Sequence, residues 1–296
     1  MKKKAISLVG FKSRDEIASF VSQYPDARFE LSYNMSGDFL EEVSPLISGR
    51  AISLHACSPL EPFFPNFGSE DPEVISESEA MLMRSAETAL RYGADIMVLH
   101  SGYLTDQRVS SDYAGRARLM KGPEFQEYIG RQEGYIARGD ILDTKGYRRH
   151  FSTMVGHVAA VSERLRTMGI TLAVENLNPR AGYLFMQPSE ISDFPEDIRF
   201  CLDVGHLWIS RFVFGFDFLP AVEQLLASGR VVSLHLHSNP SDGRILEDSH
   251  GDFNAKGFPA EEIVRLAADL PVNLVLETVR NPVENAIFLD GLLASC

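Results

Sequence analysis

Cysteine is scarce. Cys57, Cys201 and Cys296 are the only three in 296 residues, an odd number at wide spacing. That excludes a disulfide framework and points to a reducing, cytoplasmic setting. No apolar run reaches about 18 residues, so no transmembrane helix is expected and no membrane partner. The opening MKKKAISLVGFKSRDE pairs a basic cluster with an apolar run too short for a secretion signal, and it lacks a small-residue cleavage site. It reads as a first strand. No GxGxxG fingerprint follows that strand, which argues against an open dinucleotide-binding sheet. Positive charge is in deficit: 28 Lys and Arg stand against 41 Asp and Glu, a net charge of −13. This disfavours broad contact with nucleic acid or anionic membrane. It leaves room for a local cationic cleft, because bound metal ions supply positive charge.

What is present is a large apolar fraction, 45%, arranged in a repeating order. Eight strand-like runs occur, at residues 5–9, 27–32, 51–56, 96–100, 170–175, 199–203, 231–237 and 272–277. Most are continuous apolar runs, as in parallel strands buried on both faces. Helical periodicity lies between them at 13–23, 74–92, 151–168, 217–227, 259–268 and 283–294, with weaker signals at 34–50 and 189–196. Ser13 is a candidate N-cap with Glu16 three residues on. Gly93 and Gly169 are candidate C′ residues. Eight βα units in one chain predict an α/β fold, a (β/α)8 TIM barrel spanning 1–296 as one domain.

A barrel of this kind concentrates chemistry at the C-terminal ends of its strands, and the sequence meets that demand. Strand two carries Glu30. Strands three to eight end with His55, His100, Glu175, Asp203 with His206 three on, His235 with His237, and Glu277. After strand seven the chain returns through Asp248-Ser249-His250. Ionisable groups at the end of an apolar strand are costly to bury unless paired or metal-bound. Six consecutive strands ending this way point to imidazole and carboxylate ligands converging on divalent metal.

One connection is oversized. Residues 103–150 follow strand four, with a helical stretch expected over 123–139 and nine Lys and Arg against seven acids. On the catalytic face this insertion would act as a lid whose arginines bind phosphate or carboxylate. The alternative is an oligomer contact or a rim shield. The loop after His55, ACSPLEPFFPNFGSED, holds no Lys or Arg to grip phosphates. The segment LWISRFVFGFD after His206 reads as an aromatic loop walling a small-ligand pocket or forming a homo-oligomer contact.

The segments LHAC, LHSG, VEN, CLDVGH, LHLHSN, DSH and LET, in this order, resemble the xylose isomerase-like TIM-barrel superfamily. That group joins sugar and sugar-phosphate isomerases and epimerases to AP endonucleases of the endonuclease IV type. The resemblance implies two ligand sets. The isomerase-type set is Glu175, Asp203, His235 and Glu277 around one Mn, Mg, Co or Zn ion, with Glu175 and Glu277 moving the proton and His206 touching substrate. The endonuclease-type set adds His55, His100, His206, Asp248 and His250, for up to three zinc ions. Glu30 is a feature of the sugar-acting branch. His237, Asn176 and Trp208 are further candidate substrate contacts. The preferred expectation is an isomerase or epimerase acting on a small sugar or sugar phosphate. The alternatives are a zinc phosphodiesterase cutting duplex DNA, and a barrel that binds a ligand without catalysis.

Overall fold

A computed structural model describes residues 4–295. The basic start at residues 1–3, and Cys296, lie outside the described residues. Eight parallel strands close into a barrel: β1 (Lys4–Ser7), β2 (Phe29–Leu31), β3 (Ala51–His55), β4 (Ile96–Leu99), β5 (Thr171–Glu175), β6 (Arg199–Asp203), β7 (Val231–Leu236) and β8 (Asn273–Leu276), with β8 pairing back onto β1. The period of two along each strand divides the side chains. Leu31, Leu54, Leu99, Leu172, Leu202, Leu236 and Leu276 join the main apolar core against the helices. Two separate clusters, Ala5–Ile52–Val275 and Ile96–Val98–Ala173–Cys201, pack apart from that core, and Val98, Ala173 and Cys201 of the latter lie two residues before His100, Glu175 and Asp203.

The helices are α1 (Arg14–Gln23), α2 (Gly37–Ile47), α3 (Pro72–Tyr92), α4 (Tyr113–Met120), α5 (Lys145–Thr167), α6 (Val204–Phe214), α7 (Phe218–Ala227), α8 (Ala260–Ala267) and α9 (Pro282–Ser295). Ser13 caps α1 by accepting from the Glu16 N–H. Gly93 and Gly169 follow α3 and α5 with φ of 85° and 81°, a backbone region that favours glycine.

Three expectations are corrected. First, α5 begins at Lys145, not 151, because the Thr144 hydroxyl accepts from the Tyr147 N–H and caps it there. The insertion after β4 is shorter by that turn. Second, residues 123–139 are not one helix. A 3-10 turn at Pro123–Tyr128 leads into a short antiparallel pair, Ile129–Arg131 with Ile136–Ala137, closed at Gly134 with φ of 71°. Gly130 sits where a Cβ would lie 2.9 Å from the Arg138 Cα, so the strands meet at a bare backbone. Third, the segment after Asp203 is helix α6 rather than a loop. The Asp203 carboxylate accepts from the His206 N–H as N-cap, and Gly215 ends the helix with φ of 74°. Its apolar residues run all round the helix, which hides the 3.6-residue period.

The insertion is tied down at both edges. Phe63–Phe64, in the loop after β3, pairs with Val109–Ser110, and Tyr103 bridges Tyr183 in the loop after β5.

Candidate metal centre

The strand ends deliver three groups of side chains, and within each the offered nitrogen and oxygen atoms lie within 4.8 Å of one another. The first is His55, His100 and Glu175. The second is Glu175, Asp203, His235 and Glu277, all buried. The third is His206, His237, Asp248 and His250. Glu175 belongs to two groups. Its Oε2 lies 3.0 Å from His55 Nε2 and 3.2 Å from His100 Nε2, while its Oε1 lies 3.3 Å from His235 Nδ1. Glu277 Oε2, one residue past the end of β8, is 3.1 Å from the same His235 Nδ1, and Glu175 ends β5. His206 Nε2 is 3.2 Å from Asp248 Oδ2. His237 and His250 stack with ring centroids 4.0 Å apart.

A layer of supporting contacts fixes these rings. His235 turns its other nitrogen to Glu30 at 3.1 Å, and Glu30 also accepts from Ser53 Oγ at 2.8 Å. His206 gives its Nδ1–H to the Asn176 carbonyl at 3.0 Å, which leaves Nε2 to face Asp248. Gly205 packs flat on His237: a Cβ there would stand 2.1 Å from the ring. The bridge between Ser238 and Gly251 closes the return loop, and Asn239 clamps it, accepting from Ser249 N at 2.7 Å and donating to the Gly205 carbonyl at 2.9 Å.

The electrostatics are those of a cation site. Burial alone would raise the carboxylates, yet the imidazoles around them hold Glu175 and Asp248 well below the usual range, and Glu277 below it as well. In turn burial would lower His250, but Asp248 and Glu277 push it up to about 10. His206 is likewise raised against its burial by Asp203 and Asp248, and His235 by Cys201 and then Glu277, Glu30 and Glu175. Burial wins only at His100, which is lowered. Without a cation, protons on imidazoles neutralise the clustered carboxylates. Two oxygens of these groups remain ill-served: Asp248 Oδ1 and Glu277 Oε2 are buried, and the imidazoles nearest them, His250 at 3.4 Å and His235 at 3.1 Å, are not aligned for a hydrogen bond. Imidazole nitrogen and carboxylate oxygen in tight groups, with buried lone pairs left over, fit divalent transition ions.

All nine residues of the larger expected set therefore meet at the barrel mouth. The remaining candidates fall elsewhere. Glu30 is fully buried behind His235, so it orients that ring rather than touching a sugar. Asn176 spends its amide on the Asp203 backbone, donating to O at 2.9 Å and accepting from N at 2.8 Å. Trp208 packs edge-on to Phe218 at 5.1 Å, has the Arg211 guanidinium 3.5 Å over one face, and donates its indole N–H to the Ser241 carbonyl at 3.1 Å, so the structure engages it in packing. His237, expected as a substrate contact, stands inside the third group with its Nε2 3.0 Å from Asp203 Oδ2.

The sequence reading missed the rim. Tyr33 lies 5.3 Å from the His55 ring and 5.3 Å from Phe64, and Phe64 lies 5.8 Å from His100, centroid to centroid. Arg116 lies 4.9 Å over the Phe64 ring, and Arg180, from the loop after Glu175, lies 5.1 Å over Tyr113. Their only signal was position, on a connection that follows one of the strand-end acids or histidines.

Residues 25–287 match the family described as xylose isomerase-like TIM barrel. The chain belongs to it. Among solved structures, this xylose isomerase-like barrel is similar to a D-tagatose 3-epimerase-like protein (TM-score 0.67, 15% identity, 99% of this chain and 97% of that one). It is also similar to a protein of Thermus thermophilus soaked with ZnCl2 (0.63, 19%, 99% and 99%) and to endonuclease IV of the same organism (0.54, 17%, 100% and 100%). At these identities the likeness is one of fold. None of the curated proteins searched matches the chain.

Proposed function

We propose that this barrel is a divalent-metal-dependent isomerase or epimerase of a small sugar or sugar phosphate. The observation that carries the reading is the placement of Glu175 and Glu277, 3.3 and 3.1 Å from one nitrogen of His235 on strands across the mouth. Two carboxylates thus flank a single cation position. When bound there, a divalent ion polarises neighbouring sugar oxygens and acidifies the C–H beside them. Glu175, Asp203, His235 and Glu277 would hold it. The carboxylates are not equivalent. Both Glu175 oxygens have imidazoles on them, whereas the imidazoles near Glu277, His235 at 3.1 Å and His250 at 3.5 Å, both lie on Oε2. Glu277 is therefore the better placed to take the proton; its return by Glu277 would serve an isomerase, and its return from the opposite face by Glu175 would serve an epimerase. The aromatic rim of Tyr33 and Phe64 and the deep burial of the ligands favour a small substrate over a duplex.

The test is wash-in of solvent deuterium at a substrate carbon, followed by NMR across ketoses and their phosphates. Exchange is expected, with loss on EDTA treatment and in Glu277→Gln, the variant keeping its bound metal by elemental analysis. No exchange across the panel refutes the reading. A second reading is supported by the completeness of the three groups sharing Glu175: a polynuclear zinc phosphodiesterase. About three zinc per chain together with nicking of abasic duplex DNA would favour it.

A further inference from the structure

The connection at 103–150 is rich in arginine, but four of its arginines are already paired with carboxylates. Arg108 pairs with Glu77, Arg138 with Asp140, Arg148 with Asp143, and Arg149 lies by Glu70 and Asp106. Arg116 on α4 is different. Its guanidinium is half-buried, sits 4.9 Å over the Phe64 ring, and gives Nη1 to the carbonyls of Ser110 and Ser111. Its Nε is buried without a partner. Arg180, on the loop after β5, is the counterpart. It stacks 5.1 Å from Tyr113 at the start of the same helix and donates to that tyrosine's hydroxyl at 3.3 Å. Neither arginine pairs with a carboxylate among the described residues, on a chain whose net charge is −13.

The two cations come from neighbouring connections, after β4 and β5, which are joined where Tyr183, its N–H donating to the Arg180 carbonyl at 3.0 Å, packs edge-on to Tyr103 at 5.4 Å. Arg116 is joined to His100 of the first ligand group through Phe64, whose ring meets His100 at 5.8 Å. Arg180 is tied to the third group through Asn178, whose carbonyl accepts from the Arg180 N–H at 2.8 Å and whose amide donates to Asp248 Oδ2 at 2.8 Å. Outward from Arg180 a cleft of about 190 Å³ opens, also lined by Arg131 and Arg244. Arg131 uses its guanidinium on the Gly243 and Arg244 carbonyls, which joins the insertion to the return loop that carries Asp248. Taking a guanidinium out of water without a counter-ion is costly. An aromatic face returns only part of that. Two such cations at the rim of a ligand cluster are arranged for negative charge that arrives with the substrate.

We propose that Arg116 and Arg180 bind the phosphate of a phosphorylated sugar whose carbonyl end lies at the metal centre. This rests on the reading of the mouth as a small-sugar site. A phosphate monoester fits better than a carboxylate, because two guanidiniums from separate elements match a doubly charged tetrahedral group with acceptors on several sides. The distance from Arg116 to the first ligand group, two ring contacts, is one that a pentose or hexose phosphate covers.

The experiment is calorimetric titration of metal-loaded protein with D-ribulose 5-phosphate, D-ribulose and inorganic phosphate. Wild-type protein is expected to prefer the phosphate ester over the neutral ketose. Each of Arg116→Gln and Arg180→Gln should weaken the ester by about tenfold or more, with ketose affinity and metal content unchanged. Arg118→Gln, exposed on the same helix, should change nothing. Where a variant fails to fold, inorganic phosphate in the wild type decides: it should compete with the ester and not with the ketose. Equal binding of ester and ketose overturns the proposal. So does a phosphate preference that survives in the double variant, since the metal ions would then be holding the phosphate. Arginine-dependent binding of abasic duplex DNA tighter than the ester also overturns it. Deuterium wash-in tests the reaction separately. A protein that exchanges protons but ignores phosphate refutes only the arginine proposal, and one that binds phosphate through these arginines without exchange refutes only the reaction.

Discussion

Glu30 shows how a single buried residue acts at one remove. It touches His235 Nε2, on the far side of that ring from Glu175 and Glu277. Removing its charge in Glu30→Gln should leave the ligand set intact yet weaken cation affinity by about 10–100-fold, read by chelator competition. Unchanged affinity would mean that packing alone aims His235. Gly205 offers a second case. Gly205→Ala drives a methyl into the His237 ring, so a loss of about 1–3 kcal/mol in thermal unfolding is expected, with displacement of the third ligand group. His250 sets a pH dependence for the metal-free protein. Its folded pKa, about 10, lies above its unfolded value, so its stabilising contribution is full below the ordinary imidazole pKa of about 6.5 and is lost as pH rises through 10. Denaturant titrations of EDTA-treated protein should therefore show stability falling over that window, and His250→Gln should flatten the fall. These residues also differ in how readable they were. His55, His100, Glu175, Asp203, His206, His235, Asp248, His250 and Glu277 stood out because strand ends are short and polar positions within apolar runs are conspicuous. The roles of Glu30 and Asn176 were invisible, since a buried acid or amide carries no mark of whether it faces a ligand or a neighbour.

Among the elements, the eight strands were legible to within two residues or so because their apolar runs are bounded by polar turns. Helix α6 was not, because its sequence is apolar all round and lacks an amphipathic stripe. The pairing within residues 129–137 was hidden for a different reason: its strands are two or three residues long, below the length at which a period can be seen. The return loop after β7 depends on one clamp, Asn239, which joins Ser249 to Gly205. Asn239→Ala should let Asp248 and His250 drift while Glu175, Asp203, His235 and Glu277 stay put. Elemental analysis after dialysis is expected to show the weakest-held ion lost first, with the remainder retained. Loss of every ion together would mean that the groups do not fill independently.

For the whole molecule, the ligand-bearing ends of β3 to β8 are joined through the cluster they support. A cation bound by residues from several strands stabilises the closed barrel by mass action, because the unfolded chain cannot reassemble the set. EDTA is expected to lower the midpoint of thermal unfolding, and zinc or manganese to restore it in a concentration-dependent way, as followed by calorimetry. A midpoint indifferent to both would leave the strand ends as a network of ion pairs. The barrel itself was evident from the sequence because its βα rhythm repeats eight times. The rim was not, since Tyr33, Phe64, Arg116 and Arg180 are brought together by four connections with no shared pattern.

Glu175 has an imidazole on each oxygen, and this constrains any molecule entering the mouth. A carboxylate pinned on both sides cannot swing to meet a guest, so the guest must present its reactive carbon to a stationary anvil. Enantiomeric sugars would then fare unequally, because carboxylates fixed on two sides of the mouth meet the reacting carbon and its neighbouring hydroxyls in register for only one of them.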